Sequence, residues 1–161
     1  MNECKWHRFH VTLKRPGNDH GSLTSWLAYL FMDEIVSKCT HGIDLHTGSN
    51  HRSNLPQIRA YLDDQETERL AMAFGTPVIL DADPLEGSLR QAVKERNIPI
   101  LLYEAGEILR FDEAAIRLGV RGVLSVMRAI DMLPKVRRKT EIQPVISDSS
   151  TWVRAPISGI I

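Results

Sequence analysis

The run Ile98-Pro99-Ile100-Leu101-Leu102-Tyr103 is the most strand-like stretch of this 161-residue chain. It is continuously apolar, and its early proline is typical of the start of a strand. Helical patterns lie on both sides of it. Ser88 can cap a helix that runs to about Arg96, and Asp112 can cap a long helix that runs to about Met132. This order predicts a strand that is covered by the helices on either side of it.

The same alternation continues toward the N-terminus. Shorter strands are predicted at Ile43–His46, Gln57–Leu62 and Pro77–Leu80. Further helices are predicted to begin at Ser22 and at Asp63-Asp64, and the second of them ends at Gly75. We therefore expect the α/β class, with a three-layer sandwich around a mixed, partly parallel sheet.

Two of these helices carry apolar residues at helical spacing, and those residues are predicted to be buried. In the first, which should fade near Lys38, they are Trp26, Leu27, Leu30, Phe31 and Ile35. In the long helix after Asp112 they are Ile116, Val120, Val123, Leu124, Met127 and Ile130.

Composition excludes several classes of function. Twenty basic and twenty acidic residues give zero net charge, which argues against a nucleic-acid or membrane-surface binder. No apolar run approaches the roughly 18 to 20 residues that a membrane span needs. The N-terminus lacks the apolar segment of a signal peptide. Only Cys4 and Cys39 are present, too few for a disulfide framework, so we expect a cytoplasmic protein.

The composition changes after Pro134, which divides the chain into three parts. Residues 1–133 are expected to form one partial α/β domain. Residues 134–150, with the basic run Lys135–Lys139, are interpreted as a linker. Residues 151–161 resume a strand-like pattern and are expected to begin a second β domain. A sheet that lacks neighbours at its edges predicts marginal stability or self-association.

Polar side chains follow two of the predicted strands at their carboxyl ends. Asp44 and His46 alternate onto one face of the first strand, and Glu104 follows the run from Ile98. Ligands of open α/β sheets bind beyond the carboxyl ends of strands, and imidazole is a common metal ligand. Asp44 could accept the other ring proton of His46. From spacing alone, a structural histidine and a loop-capping glutamate remain alternatives.

The block from Gly42 through Asp44-Leu45-His46-Thr47-Gly48 to Ala60 resembles the succinylglutamate desuccinylase/aspartoacylase family, a branch of the zinc carboxypeptidase-like hydrolases. Weaker similarity is found at Gly21–Ser25, Leu102–Glu107, Phe111–Leu133 and Val153–Gly159. The last of these resembles the start of the family's small C-terminal β domain.

The resemblance implies zinc-assisted attack of water on the amide bond of a small acylated amino acid. It implies that His46 of the D-L-H motif is a zinc ligand and that Glu104 of the Y-E-A-G motif is the general base and then the acid. Arginines would bind the substrate carboxylate: Arg52 and Arg59 in the matched block, and Arg15 in a partial match at Leu13–Gly17.

One family motif is absent from the chain. The other two zinc ligands come from an upstream H-x-x-E, and none of the six histidines is followed by Glu at the third place. A catalytic zinc site needs three protein ligands. We therefore expect a truncated zinc hydrolase of N-acyl amino acids that is weak or inactive. The alternatives are a non-catalytic remnant that binds a small molecule or a protein, and a replacement metal cluster at Cys4, His7 and His10.

Overall fold

The computed structural model describes residues 20–136, 143–151, 153–154 and 156–157. Its strands are β1 (Gly42–Gly48), β2 (Asn54–Ala60), β3 (Val78–Asp81), β4 (Ile100–Glu107) and β5 (Val145–Ser147). Its α-helices are α1 (Leu23–Leu30), α2 (Gln65–Phe74), α3 (Leu89–Lys94) and α4 (Glu113–Ala129). Helix α1 continues through a π turn at Phe31–Ile35 and a 3₁₀ turn at Val36–Lys38.

The five strands form one mixed sheet in the order β1-β4-β2-β3-β5. Strand β4 is parallel to β1 on one side and antiparallel to β2 on the other, whereas β2, β3 and β5 are mutually parallel. Apolar residues of α2 and α4 pack on one face of the sheet, and those of α1 and α3 pack against Ile100 on the other. The predicted α/β sandwich with a mixed, partly parallel sheet is confirmed.

The helices begin where their capping residues predict. The four capping side chains, each of which accepts a hydrogen bond from a backbone N–H in the first turn, are Ser22, Asp64, Ser88 and Asp112. Helix α2 ends at Gly75, which takes the left-handed conformation (φ 82°) that glycine adopts without strain. These local signals therefore fix the boundaries of the elements that cover the sheet.

The buried face of α4 matches the predicted one only in part: Val123 and Ile130 pack against the core as predicted. Ile116, Val120 and Leu124 are exposed, and the buried positions are Ala115, Gly119, Gly122 and Val126. A Cβ atom on Gly119 would lie 2.9 Å from Tyr103 Cε1, and one on Gly122 would lie 2.0 Å from Phe74 Cε1. The small residues let the helix approach these two aromatic rings closely, so they face the sheet in place of the larger aliphatic residues.

The predicted stripe on the first helix is also wrong. Trp26, Leu27, Phe31 and Ile35 are exposed, and the residues that contact α3 and β4 are Ala28, Met32 and Val36. The reason is again the close approach that a small residue permits: Ala28 lies in the contact with Val93 and its neighbours. Large apolar side chains on this helix are left in solvent.

Strand β2 departs from its predicted limits, and no strand was predicted where β5 lies. Strand β2 begins at Asn54, and its pairing with β4 is irregular between Asn54 and Gln57, around Pro56, which has no N–H to donate. Strand β5 lies within residues 134–150, the stretch interpreted as a linker, and pairs with β3 through Val78 and Val145. The second β domain at 151–161 stays a prediction.

None of the helices in the described residues combines the length and the apolar character that crossing a membrane requires.

We predict that Gly122→Ala lowers the free energy of unfolding by about 1–3 kcal/mol, because the new methyl group would overlap the Phe74 ring. The loss should exceed the gain of about 1 kcal/mol that alanine brings to a helix interior. Urea denaturation measures the difference. Arg121→Ala, at the exposed neighbouring position, is the control and should change stability by less than about 0.5 kcal/mol. A Gly122→Ala variant as stable as the native protein would contradict the packing described here.

Candidate functional site

A row of polar side chains crosses three adjacent strands on one face of the sheet. The parallel register of β1 and β4 places His46 beside Glu104, and the antiparallel register of β2 and β4 places Gln57 on the other side of Glu104. Because side chains on directly paired residues point to the same face, the three lie next to one another. The structure thus brings His46 and Glu104 together, but both lie within their strands, β1 and β4, and not beyond the carboxyl ends where they were predicted.

Glu104 is held by two donors from β2. Arg59 Nε donates to Glu104 Oε2 at 3.1 Å, and Gln57 Nε2 donates to the same oxygen at 3.4 Å. The Glu104 side chain is largely buried, and the Arg59 side chain is about one-third exposed. This partly buried ion pair fixes the direction of the carboxylate. The Nε–H group of Arg59 is therefore engaged in a hydrogen bond with Glu104.

His46 and Asp44 form the pair that their spacing on β1 predicts. The His46 Nε2 and Asp44 Oδ2 atoms are 3.2 Å apart. This hydrogen bond with Asp44 raises the pKa of His46 above 6.5; partial burial opposes the rise, and the charge of Glu104 adds to it. The Nε2 atom of His46 is thus hydrogen-bonded to the Asp44 carboxylate, and Nδ1 is the second ring nitrogen of this imidazole.

Arg90, in the first turn of α3, was not among the site residues predicted from the sequence. Its side chain is buried (9% exposed), and its Nη1 atom has no hydrogen-bond partner in the part of the chain that the structure describes. Burial lowers the pKa of the Arg90 guanidinium and the charge of Arg59 lowers it further, while Asp44 and Glu104 oppose this shift. The charges of the polar row therefore act on the Arg90 guanidinium.

A signal for Arg90 was present in the sequence. Ser88 caps α3, which begins at Leu89, so Arg90 is its second residue. Arg90 and Val93 are three residues apart, which places both on one face of the helix. Val93 is buried against α1, so the same face turns Arg90 inward. A charged residue at a predicted core position is a marker of a functional or paired group.

The other predicted arginines have different surroundings. Arg52 is exposed, in the loop that follows β1. Glu107 Oε1 accepts a hydrogen bond of 2.8 Å from the backbone N–H of His51 and so ties this loop to β4. Gly48 is needed here because a Cβ atom would lie 2.0 Å from the backbone oxygen of Arg52. Arg15 and the alternative cluster Cys4, His7 and His10 lie outside the described residues.

The described residues do not supply a full set of zinc ligands. Across 20–136, 143–151, 153–154 and 156–157, no group of three or more His, Cys, Asp or Glu side chains is arranged to hold a metal ion. His46 offers one imidazole, Asp44 is bonded to that imidazole, and Glu104 is paired with Arg59. The donor set therefore falls short of the three protein ligands of a catalytic zinc site.

We predict that Asp44→Asn lowers the pKa of His46, because it removes the carboxylate that accounts for most of the rise. An NMR titration of the His46 ring protons measures the change. A raised pKa means that the His46–Asp44 pair stabilises the fold below pH 6.5 and that this contribution is lost as the pH rises through the raised pKa. Asp148→Asn, after β5 at the opposite edge of the sheet, is the control. An unchanged pKa in Asp44→Asn would contradict the pairing.

Comparison with solved structures shows the same fold in longer chains. The structure superimposes on the succinylglutamate desuccinylase/aspartoacylase from Rhodobacter sphaeroides with a TM-score of 0.65 and 24% identity, covering 75% of this chain and 37% of that one. The apo structure of the ectoine utilization protein EutE (DoeB) from Ruegeria pomeroyi gives a TM-score of 0.74 and 18% identity, with coverage of 92% and 50%. A succinylglutamate desuccinylase from Silicibacter sp. TM1040 gives 0.70 and 20%, with coverage of 88% and 46%.

The chain thus spans half or less of the length of these three proteins. A search of curated protein sequences finds no match. The sequence profile of the Succinylglutamate desuccinylase/Aspartoacylase catalytic domain, however, matches residues 14–130, which is most of the chain and includes His46, Arg90 and Glu104. This chain therefore belongs to the succinylglutamate desuccinylase/aspartoacylase family.

Proposed function

We propose that this chain carries the carboxylate-binding and general-base part of a hydrolase site for the amide bond of N-acyl amino acids. By itself it binds such compounds and hydrolyses them weakly or not at all. The observation that carries the proposal is Arg90: a buried guanidinium whose Nη1 atom has no hydrogen-bond partner within the described residues, and on which the charge of Glu104 acts.

The chemistry of Arg90 favours an anionic ligand. A buried cation is costly unless it is paired, and a guanidinium matches a carboxylate through two parallel hydrogen bonds. The nearby carboxylates Asp44 and Glu104 are each engaged with another partner, His46 and Arg59 respectively. A carboxylate brought by the substrate would supply the partner that Arg90 Nη1 lacks among the described residues. Succinylglutamate, named in the relatives, is a compound of this class.

The surroundings of Glu104 suit a general base. Both of its hydrogen bonds from β2 are accepted by Oε2, so Oε1 is the atom that would take the proton of an attacking water molecule. Arg59 and Gln57 would keep the carboxylate pointed at that water while Arg90 holds the substrate. After the amide bond breaks, the same carboxyl group would return the proton to the leaving amine.

Zinc is the cofactor that the family resemblance implies. His46 is one imidazole beside Glu104, and no group of three metal-binding side chains is found among the described residues. Without a Lewis acid to polarise the acyl carbonyl, Glu104 and Arg90 together give binding and water orientation but little stabilisation of the oxyanion. This is why we expect weak turnover or none.

The second candidate is a non-catalytic module that binds a small acidic molecule. The same Arg90 observation supports it, because carboxylate binding requires no metal. The two candidates differ only in turnover.

For the compartment we infer the reducing cytoplasm, since Cys39 is an exposed free thiol among the described residues.

We predict that N-succinyl-L-glutamate binds to the purified chain and that Arg90→Gln weakens binding about tenfold or more, since a hydrogen bond to a charged group contributes about 1.5–3 kcal/mol. Isothermal titration calorimetry measures both affinities. Arg90→Lys keeps the charge and should restore part of the loss. Arg96→Gln, an exposed position just beyond the same helix, is the matched control and should bind like the native protein. Equal affinity of Arg90→Gln and native protein would overturn the carboxylate assignment.

We predict that hydrolysis of the same compound stays near the uncatalysed rate with or without added zinc. A coupled amine assay that detects the released amino acid measures the rate of hydrolysis. Glu104→Gln serves as the comparison, because it keeps the shape and removes the base. Robust, chelator-sensitive turnover that Glu104→Gln abolishes would show that the chain is a complete enzyme.

A further inference from the structure

Helix α3 carries Arg90, but it is too short to hold that residue in place by itself. It has six residues, Leu89–Lys94, and an isolated helix of this length is unstable in water. Apolar contacts hold one side of it, since Val93 forms a buried cluster with Ala28 and Met32 of the first helix. The position of the Arg90 guanidinium therefore depends on what α3 contacts in the rest of the fold.

The charge of Arg90 disfavours the place that this side chain occupies. Burial lowers the pKa of the Arg90 guanidinium, and the positive charge of Arg59, on β2, lowers it further. Asp44 and Glu104 attract the guanidinium, but the net effect is a lowered pKa. Contacts elsewhere on α3 must therefore contribute to holding Arg90 close to the polar row.

Lys94, the last residue of α3, connects the helix to the ends of two strands. Its Nζ atom lies 3.2 Å from the centre of the Tyr61 ring, which is the geometry of a cation–π contact. The same atom is 3.3 Å from Asp83 Oδ1. Tyr61 follows β2 directly, and Asp83 follows β3 after one residue; because these strands are parallel, both partners lie at the same edge of the sheet. We call Lys94, Tyr61 and Asp83 the lysine cluster.

The lysine cluster and Arg90 meet at one cavity. Arg90 and Lys94 are four residues apart and are therefore neighbours on one face of α3. Both line a cavity of about 360 Å³, and Tyr61 lines it as well. Ile100, the first residue of β4, forms an apolar part of the same wall. Movement of the Lys94 end of α3 would therefore displace Arg90 along this wall.

We propose that Lys94 is a positioning residue for Arg90. By contacting Tyr61 and Asp83 it holds the end of α3 at the carboxyl ends of β2 and β3, and it thereby sets the distance of the Arg90 guanidinium from Glu104. This role rests on the proposed function, because the carboxylate bound by Arg90 is the group whose affinity Lys94 controls. The Lys94 ammonium group acts through Arg90 and does not itself bind that carboxylate.

Isothermal titration calorimetry with N-succinyl-L-glutamate measures the consequence for binding. We expect Lys94→Met to weaken binding about two- to fivefold, which corresponds to the contribution of a partly exposed cation–π contact. Lys94→Arg should bind within about twofold of the native protein, since a guanidinium also stacks on an aromatic ring and pairs with a carboxylate. Lys135→Met is the matched control and should bind like the native protein, because Lys135 forms a similar exposed ion pair, 3.4 Å from Asp131, beyond α4.

Tyr61→Leu separates a positioning role from direct contact with the ligand. This variant keeps the charge of Lys94 and removes the ring beneath it. Positioning predicts that Tyr61→Leu binds about two- to fivefold more weakly, as Lys94→Met does. If Lys94 bound the carboxylate directly, its release from the ring would leave the affinity unchanged or raise it, and that result would overturn the proposal.

A second measurement needs no ligand, so it separates failure of this proposal from failure of the proposed function. Phenylglyoxal modifies accessible arginine side chains, and mass spectrometry of the peptides gives the rate at each arginine. We expect Arg90, which is 9% exposed, to react severalfold faster in Lys94→Met than in the native protein. The half-buried Arg128 of α4, on the other face of the sheet, should react at the same rate in both.

Three results decide the matter without ambiguity. A folded Lys94→Met with a native rate at Arg90 would overturn the proposal even if binding weakened, because Arg90 would not have moved. An equal increase at Arg128 would also overturn it, since the whole fold would then have loosened. If the native chain does not bind N-succinyl-L-glutamate, the proposed function is wrong, and a rate increase confined to Arg90 would still support the positioning role of Lys94.

Discussion

The pairing of β4 with two neighbours of opposite direction is the constraint on which the rest of the structure depends. Its parallel partner β1 brings His46 to one side of Glu104, and its antiparallel partner β2 brings Gln57 and Arg59 to the other. A slip of one residue in either register would send one of these groups to the opposite face of the sheet. The site is therefore a consequence of strand register more than of any loop.

The packing beneath α4 secures that register. Tyr103 stacks on Phe74 with ring centroids 5.0 Å apart, and its hydroxyl donates to the carbonyl of Ala115 at 2.7 Å. The absent side chains of Gly119 and Gly122 make room for both rings. Because Tyr103 and Glu104 are consecutive and point to opposite faces, an anchored Tyr103 on the helix side fixes Glu104 on the site side. The core and the site are thus coupled through one strand.

Much of this arrangement could be predicted from local sequence signals. Capping residues such as Ser88 and Asp112 located the helix starts, and alternation on β1 placed Asp44 beside His46. The phases of α1 and α4 could not be predicted from apolar spacing, because small residues such as Ala28 made the close contacts and left larger ones exposed. The order of strands in a sheet depends on contacts between residues that are far apart in sequence. The pairing of β2 with β4, which brings Gln57 beside Glu104, could therefore not be predicted from local signals.

The pKa of His46 in Glu104→Gln, compared with that in the native protein by NMR titration, tests the central claim most directly. Glu104 lies across the β1–β4 register from His46, and its negative charge contributes to the raised pKa of that imidazole. The account predicts a lower pKa in Glu104→Gln. A pKa that does not change, in a variant that remains folded, would mean that the two side chains are not neighbours, and the site described here would be incorrect.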